Sequence, residues 1–293
     1  MTPSGKERRI TFAADDLGAS RGVNQGILEA CLQGPVRRVS LLVTGFALEE
    51  AAQALRSRPH LERGLHFSLT LGRPLSRGGR RLAQGEEVFP PAEVLLRRCL
   101  LGRLDPEQVR EEMEAQWEAL LQAGIQPAFL DGHQHVHLFP GVRQVLAEFL
   151  EDHGVERTRI LEEPLLLPPR RRLLPRLLLG GFSRRTRALL AARGIEPEER
   201  SAGLCLWQAP DLEEALATLL AALPPGRWEI FTHPRRPDGD FDRLDPESRK
   251  GPDPGLRELA LLTHPAFLRR LEAWGILPPP LPPGSGPTGP TSG

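Results

Sequence analysis

Acidic side chains follow the first apolar stretch of this 293-residue sequence. Asp15 and Asp16 come directly after the run RRITFAA at 8–14. Two adjacent carboxylates near low-dielectric surroundings are costly unless something compensates their charge, and a cation is the simplest compensation. The alternative is that one aspartate caps the following helix or faces water, and for the pair considered alone both interpretations stay open.

Imidazole side chains are the second feature that can do chemistry. His66 lies inside the apolar stretch GLHFSLT, where a histidine is more often a satisfied core residue than a ligand. A later stretch ends in three alternating histidines beside Asp131, namely His133, His135 and His137. Neutral imidazole is a common metal ligand, and one carboxylate with two imidazoles leaves a position for an activated water. We expect a metal-binding or catalytic role for at least one of the three, and spacing does not decide which.

The elements expected to position these side chains are about seven strands that alternate with helices. Their predicted ranges, from apolar and β-branched content, are 8–14, 39–43, 64–70, 127–137, 157–161, 204–207 and 227–233. Such alternation indicates an α/β fold with a parallel sheet. The candidate residues fall at the carboxyl ends of strands, where β/α barrels and open doubly wound sheets both place their sites. We predict a single-domain, TIM-like distorted (β/α) barrel, because a barrel explains better how so many strands converge.

Local signals mark two of the helices. Ser20 is a plausible N-cap for the first, and Gly34 supplies its stop. Asp105 is expected to cap a later helix with Pro106 in its first position. Gly124 is expected to end that helix.

The domain is predicted to cover residues 1–277. Segments near 72–104 and 164–200 are expected to be caps or insertions above the core. The tail 278–293 is rich in Pro and Gly, cannot bury apolar area, and is predicted to be disordered.

The composition excludes several classes of protein. Lys plus Arg equals Asp plus Glu at 38 each, so net charge gives no pull toward nucleic acid, and we expect no nucleic-acid partner. Three dispersed cysteines argue against a disulfide framework or a structural zinc site and fit a reducing compartment. We find no signal-peptide pattern and no apolar run long enough to span a bilayer, so we expect a cytoplasmic protein. A homodimer stays open.

The segments that carry the candidate residues resemble one known family. AADDLGASRGVNQGILEA, GLHFSLTLGRPL and DGHQHVHLFPGV together resemble the YdjC-like carbohydrate deacetylases, as do stretches in the middle and near the end of the chain. The resemblance implies a distorted seven-stranded β/α barrel that removes the acetyl group from an N-acetylated amino sugar and releases acetate. It also implies that Asp16, His66 and His133 bind one divalent metal ion, magnesium or zinc, and that Asp15 is the general base.

The remaining site residues follow partly from the resemblance and partly from position. The family carries a histidine in a late H-P motif as general acid, which here is His233, although Thr232 stands where the family usually has Gly. Asp131 is expected to hold a ligand imidazole in one tautomer. Arg159 orients a carboxylate or forms only a surface salt bridge. His135 and His137 line the pocket or cap the strand.

The substrate and three rival functions stay open. Residues 170–193 are rich in Arg and Leu, which fits a solvated helical cap or a peripheral membrane contact. The sequence EEP at 162–164 resembles the hopanoid-biosynthesis branch of the family, whereas another branch acts on chitooligosaccharides. A non-catalytic carbohydrate-binding protein is one rival. An amidohydrolase or phosphoesterase is a second, although those enzymes carry paired histidines on their first strand. A receiver-like domain is the third and weakest rival, because the histidine run has no place in it.

Overall fold

The part of the chain that the structure describes contains six strands, β1 (Arg8–Leu17), β2 (Val36–Leu41), β3 (Glu62–Phe67), β4 (Leu130–Gly132), β5 (Arg200–Ala202) and β6 (Gly226–Thr232). They form one parallel sheet in the order β4-β3-β2-β1-β6-β5. The structure is a computed structural model that describes residues 8–164, 167, 173–197, 199–207, 209–245 and 253–276. The predicted tail 278–293 lies outside the described residues.

Helices separate the strands along the chain, as the alternation predicts. They are α1 (Arg21–Gln33), α2 (Leu48–Arg56), α3 (Arg77–Leu82), α4 (Ala92–Leu100), α5 (Pro106–Gln122), α6 (Val142–His153), α7 (Leu173–Ala191), α8 (Leu212–Ala222), α9 (Gly239–Leu244), α10 (Pro254–Leu262) and α11 (Pro265–Ala273). Within the described residues, none of them is long and apolar enough to cross a bilayer.

The predicted helix signals at α1 and α5 act as expected. The Ser20 hydroxyl accepts a hydrogen bond from the Val23 amide at 3.3 Å, and the helix ends at Gly34. Asp105 accepts from the amide of Glu107 at 3.0 Å, which satisfies a backbone donor at the start of α5.

The hydrophobic core fixes the strands whose ends carry polar residues. Phe12, Leu65 and Ile230, on three different strands, are each at most 1% exposed. Each such side chain stabilises the fold by roughly 1.5–3 kcal/mol relative to exposure to water. The carboxyl ends of β1, β3 and β6 are therefore held at defined positions.

The predicted strand at 157–161 is not a strand in the described structure. It makes one isolated parallel bridge to β4, at Thr158, and one to β5, at Leu161. The Leu161 amide donates to the hydroxyl of Ser183 on α7 at 3.0 Å, so this donor is not used in a ladder. The α/β class with a parallel sheet is confirmed, but the described sheet has six strands rather than the seven of the predicted TIM-like barrel.

The predicted strand at 204–207 is a turn, and β5 lies just before it. Glu163 accepts hydrogen bonds from the amides of Gly203 at 2.8 Å and Cys205 at 3.2 Å. The Glu163 carboxylate therefore binds the backbone N–H groups that would otherwise donate to a neighbouring strand.

The predicted strand at 127–137 is extended only over β4. The histidine run His133–Leu138 forms a tight 3-10 turn in which Gln134 and His135 have positive φ angles of 50° and 58°. Non-glycine residues seldom adopt this left-handed region, and such strain clusters at functional sites. Because of the turn, the three histidines do not share one face of a strand.

The segment 72–104 leaves the sheet and forms α3 and α4. Glu112, which is fully buried on α5, accepts hydrogen bonds from the amides of Leu75 at 3.0 Å and Ser76 at 2.8 Å. This carboxylate therefore ties the excursion to α5.

Candidate active site

Asp15 and Asp16 both line a cavity at the carboxyl end of the sheet, although adjacent strand residues normally point to opposite faces. The pairing of β1 with β2 shifts register between Ala14 and Leu17, and Asp16 has a positive φ of 70°. Irregularities of this kind re-aim side chains beside active sites. Asp15 and Asp16 are only 2% and 6% exposed, so two buried carboxylates need compensating charge.

Asp16, His66 and His133 are brought together, and their ligand atoms lie within 4.8 Å of one another. Asp16 Oδ1 is 2.8 Å from His133 Nδ1 and 3.3 Å from His66 Nε2. One carboxylate oxygen and two imidazole nitrogens suit zinc, manganese, iron or cobalt by donor type. The donor set therefore fits a divalent cation.

Asp131 holds the His66 imidazole at the nitrogen that does not face Asp16. Asp131 Oδ1 is 2.7 Å from His66 Nδ1, and the Ser40 hydroxyl is 3.1 Å from the same nitrogen. Burial lowers the pKa of His66, but Asp131 and then Asp15 outweigh it and raise the pKa to about 9. These surroundings favour positive charge at His66, from a proton or from a metal ion. A bond at Nδ1 also fixes the tautomer that presents Nε2 to Asp16.

A second group of ligand-type side chains, Asp15, His66 and Asp131, also lies close together. Here Arg159 already supplies positive charge, because its guanidinium nitrogens lie 2.5 and 2.8 Å from Asp15 and 2.7 Å from Asp131. Arg159 is 3% exposed, so the alternative of a surface salt bridge is wrong. Burial raises the pKa of Asp15, but Arg159 and then His66 outweigh it and hold the pKa of Asp15 well below its ordinary value.

Glu229 and Arg38 extend this network of charges away from the cavity. Glu229 Oε1 is 2.6 Å from Arg159 Nε, and Glu229 Oε2 is 2.7 Å from Arg38 Nη1. Glu229, Arg38 and Arg159 also line a separate cavity of about 270 Å³. Neither residue was predicted from the sequence. The available signal was that charged side chains stand inside both strands, VRRVSL and GRWEIFT.

His233 follows β6 and lies on the cavity wall. Its Nε2 is 3.8 Å from Asp15 Oδ2, and its side chain is 27% exposed, which leaves it accessible from the cavity. The backbone amide of His233 donates to the buried carboxyl group of Glu258, whose Oε2 is also 4.0 Å from His233 Nδ1. Burial raises the pKa of Glu258. Like Glu229, Glu258 is an acidic residue of the site that was not predicted from the sequence.

His135 and His137 lie outside the Asp16 cluster. His137 is fully buried with Nε2 3.0 Å from the Arg159 carbonyl oxygen, and burial lowers its pKa to about 3. His135 lines the cavity, with its ring 5.1 Å from that of Phe231. Burial, followed by Arg159, lowers the pKa of His135 well below its ordinary value. Both imidazoles are therefore neutral near pH 7.

The cavity above these groups has a volume of about 440 Å³, within the usual range for small-molecule sites. Its lining is mixed. The polar groups include Asp15, Asp16, His66, His133 and His233, and the apolar groups include Val23, Leu179, Leu204, Trp207, Phe231 and Phe241. An amphipathic ligand fits such a lining.

Comparisons with known proteins show which family this chain is similar to. The YdjC-like protein family matches residues 9–273. A human carbohydrate deacetylase is 34% identical over 92% of this chain and 88% of its own length. A chitooligosaccharide deacetylase of Klebsiella pneumoniae strain 342 is 38% identical over 51% of this chain and 58% of its own length.

A solved structure shares the fold. It is a protein of Enterococcus faecalis V583 to which cellobiose-phosphate cleavage has been ascribed, and it superposes with a TM-score of 0.73 at 22% identity. The match covers 92% of this chain and 96% of that protein. At this identity the likeness speaks for the fold alone. The family matches nearly the whole described chain, and the human relative is matched over most of its own length, so this chain belongs to the YdjC-like family.

Proposed function

We propose that this chain is a metal-dependent carbohydrate deacetylase that hydrolyses the acetamide of an N-acetylated amino sugar. The observation that carries the proposal is the cluster of Asp16, His66 and His133 beside Asp15, with His233 on the wall of the same cavity. The human and Klebsiella relatives, both named deacetylases, support the reaction class.

In the proposed reaction, Asp15 accepts a proton from the attacking water. The pKa of Asp15 lies well below its ordinary value, so the carboxylate is ionised near neutral pH. Such a carboxylate is a weak base, because base strength falls with pKa. A weak base suffices when a divalent ion acidifies the water and polarises the amide carbonyl, which is the chemistry that a metal supplies in such a site.

In the proposed reaction, His233 protonates the leaving nitrogen. In the complete reaction the water oxygen bonds to the acetyl carbon and the C–N bond breaks. One proton moves from water to Asp15, and one moves from His233 to the amine, which is otherwise a poor leaving group. The products are acetate and the free amino sugar. His233 Nε2 and Asp15 Oδ2 are 3.8 Å apart, so the acid and the base can act on the same amide group.

Arg159 holds other residues of the site in position. It lies in the segment 157–161, which makes isolated bridges to both edge strands, β4 and β5, and we infer that this segment closes the barrel between them. Its contacts with Asp15 and Asp131 hold the base and the carboxylate behind His66 in one arrangement. We assign Arg159 and Asp131 to positioning.

A glycolipid is a second candidate substrate class, and one observation favours it. Leu174, Leu177 and Leu178 on α7 are 67%, 45% and 43% exposed, and the same helix lines the cavity through Pro175 and Leu179. Exposed apolar side chains on a helix that also lines the cavity suit a lipid tail or a membrane surface. If this holds, changing Leu174 and Leu178 to Ser lowers activity on an N-acetylglucosaminyl lipid in vesicles and spares activity on a soluble disaccharide.

The test is hydrolysis of di-N-acetylchitobiose followed by mass spectrometry. We expect loss of one acetyl group, inhibition by chelator, and recovery on addition of a divalent metal. Asp15→Asn abolishes turnover, and Asp152→Asn, an exposed control on α6, does not. Turnover that survives both chelator and Asp15→Asn contradicts the proposal. Binding without turnover by the metal-loaded wild type indicates a carbohydrate-binding protein instead.

A further inference from the structure

The turn after β5 places an aromatic side chain in the cavity wall. Trp207 is half-buried, and its ring lies 5.1 Å from the His233 ring at an interplanar angle of 75°. The other tryptophans lie elsewhere. Trp117 and Trp228 are buried in the core, and Trp274 follows α11 at 45% exposure beside a separate cavity. Trp207 is therefore the tryptophan that a ligand in this cavity would contact.

The turn that carries Trp207 is fixed by a buried ion pair. Glu163 accepts from the amides of Gly203 and Cys205, and its Oε1 is 2.8 Å from Arg176 Nε on α7. The side chains of Glu163 and Arg176 are 3% and 1% exposed, so solvent screens this pair little. The indole is thus presented on a tethered turn, which reduces the ordering cost of binding.

A sugar ring has polar edges and an apolar face of C–H groups, so it needs a polar wall and a flat apolar wall in one site. Asp15, Asp16 and His133 supply polar groups, and Trp207 supplies a broad, rigid surface with few rotatable bonds. The amine that His233 would protonate is bonded directly to a ring carbon. The ring must therefore lie next to His233, which is where Trp207 stands.

We propose that Trp207 is the stacking platform for the sugar ring that carries the hydrolysed acetamide, and that it makes the site prefer cyclic over acyclic amides. The inference rests on the proposed deacetylase function. In this inference Trp207 binds the sugar ring, and Asp15 and His233 carry out the proton transfers of the chemical step. Trp207→Ala therefore weakens use of a sugar substrate and largely spares use of a small acyclic amide.

The experiment compares wild type, Trp207→Ala and Trp207→Phe on di-N-acetylchitobiose and on N-acetylethanolamine, all loaded with metal. We expect Trp207→Ala to raise KM for the disaccharide about tenfold, the scale of one aromatic contact, with kcat within about threefold. Trp207→Phe restores most of the loss. The preference for the disaccharide over the acyclic amide falls by about the same factor. Trp274→Ala is the matched control and changes neither substrate.

Fluorescence gives a readout that does not depend on turnover. The disaccharide added to metal-loaded Asp15→Asn protein changes tryptophan emission, and the change disappears in the Asp15→Asn, Trp207→Phe double variant. An unchanged KM in Trp207→Ala, or emission that responds equally in both proteins, overturns the inference. If wild type hydrolyses neither substrate, the proposed deacetylase function fails, and a signal that still requires Trp207 upholds the platform separately.

Discussion

Replacing Arg159 with Met tests the buried charge network most severely. The guanidinium contacts three carboxylates, those of Asp15, Asp131 and Glu229, at distances between 2.5 and 2.8 Å. All three are at most 4% exposed. The substitution keeps most of the side-chain volume and removes the charge, so the three acids lose their shared cation.

The cost at neutral pH is about 3–5 kcal/mol of unfolding free energy, the usual penalty for stranding buried charge. In the wild type the pKa values of Asp15 and Glu229 are lowered, so their stabilisation is present above the unfolded values and is lost as pH falls. Without Arg159, burial is the largest remaining influence on Asp15, and we expect its pKa to rise, whereas Glu229 keeps its contact with Arg38. The variant then loses stability as pH rises, by up to about 1.4 kcal/mol per pH unit for each proton retained.

The assay is urea unfolding of wild type and variant between pH 5 and 7.5, with chelator present so that bound metal does not contribute. The matched control is Arg110→Met on α5, because Arg110 also contacts three acids, Glu114, Glu148 and Asp152, but at the surface. The control should cost no more than about 1 kcal/mol. Equal losses of unfolding free energy in the two variants, or a loss in Arg159→Met that does not change with pH, would show that Arg159 does not stabilise these buried carboxylates.

Three further predictions concern single side chains. His133→Ala sharply lowers the amount of bound metal measured by mass spectrometry. His137→Ala keeps the metal, because His137 is hydrogen-bonded to the Arg159 carbonyl oxygen. Equal metal loss in the two variants would show that the ligand assignment is wrong. His233→Asn lowers kcat by about 10²–10⁴ while metal content stays unchanged, and a wild-type kcat would remove His233 as the acid. Glu112→Ala costs about 1.5–3 kcal/mol in thermal unfolding, because the amides of the 72–104 segment lose a buried charged acceptor, and an unchanged melting temperature would contradict this.

The sequence predicted the features that short-range signals carry. Ser20 and Asp105 mark helix starts, because capping depends on residues within one turn. The family motifs predicted which three distant residues meet, and the structure brings Asp16, His66 and His133 within reach of one ion.

The sequence did not predict features that depend on tertiary hydrogen bonding. Apolar content at 157–161 and 204–207 indicates strands, yet side chains of Ser183 and Glu163 take backbone donors there. The irregularity that turns Asp15 into the same cavity as Asp16 has no periodic signature. The ion pair between Arg38 and Glu229 could not be predicted either, because the alternation of residues along one strand does not show which charged residue of another strand lies beside it.

Metal binding by Asp16, His66 and His133 is tested most directly by anomalous diffraction from crystals grown with manganese or zinc. We expect one strong peak at about 2.0–2.2 Å from donor atoms of these three residues. We also expect the Arg159 guanidinium to remain between Asp15 and Asp131. A peak between Asp15 and Asp131, or occupied metal elsewhere with none at Asp16, would contradict this assignment.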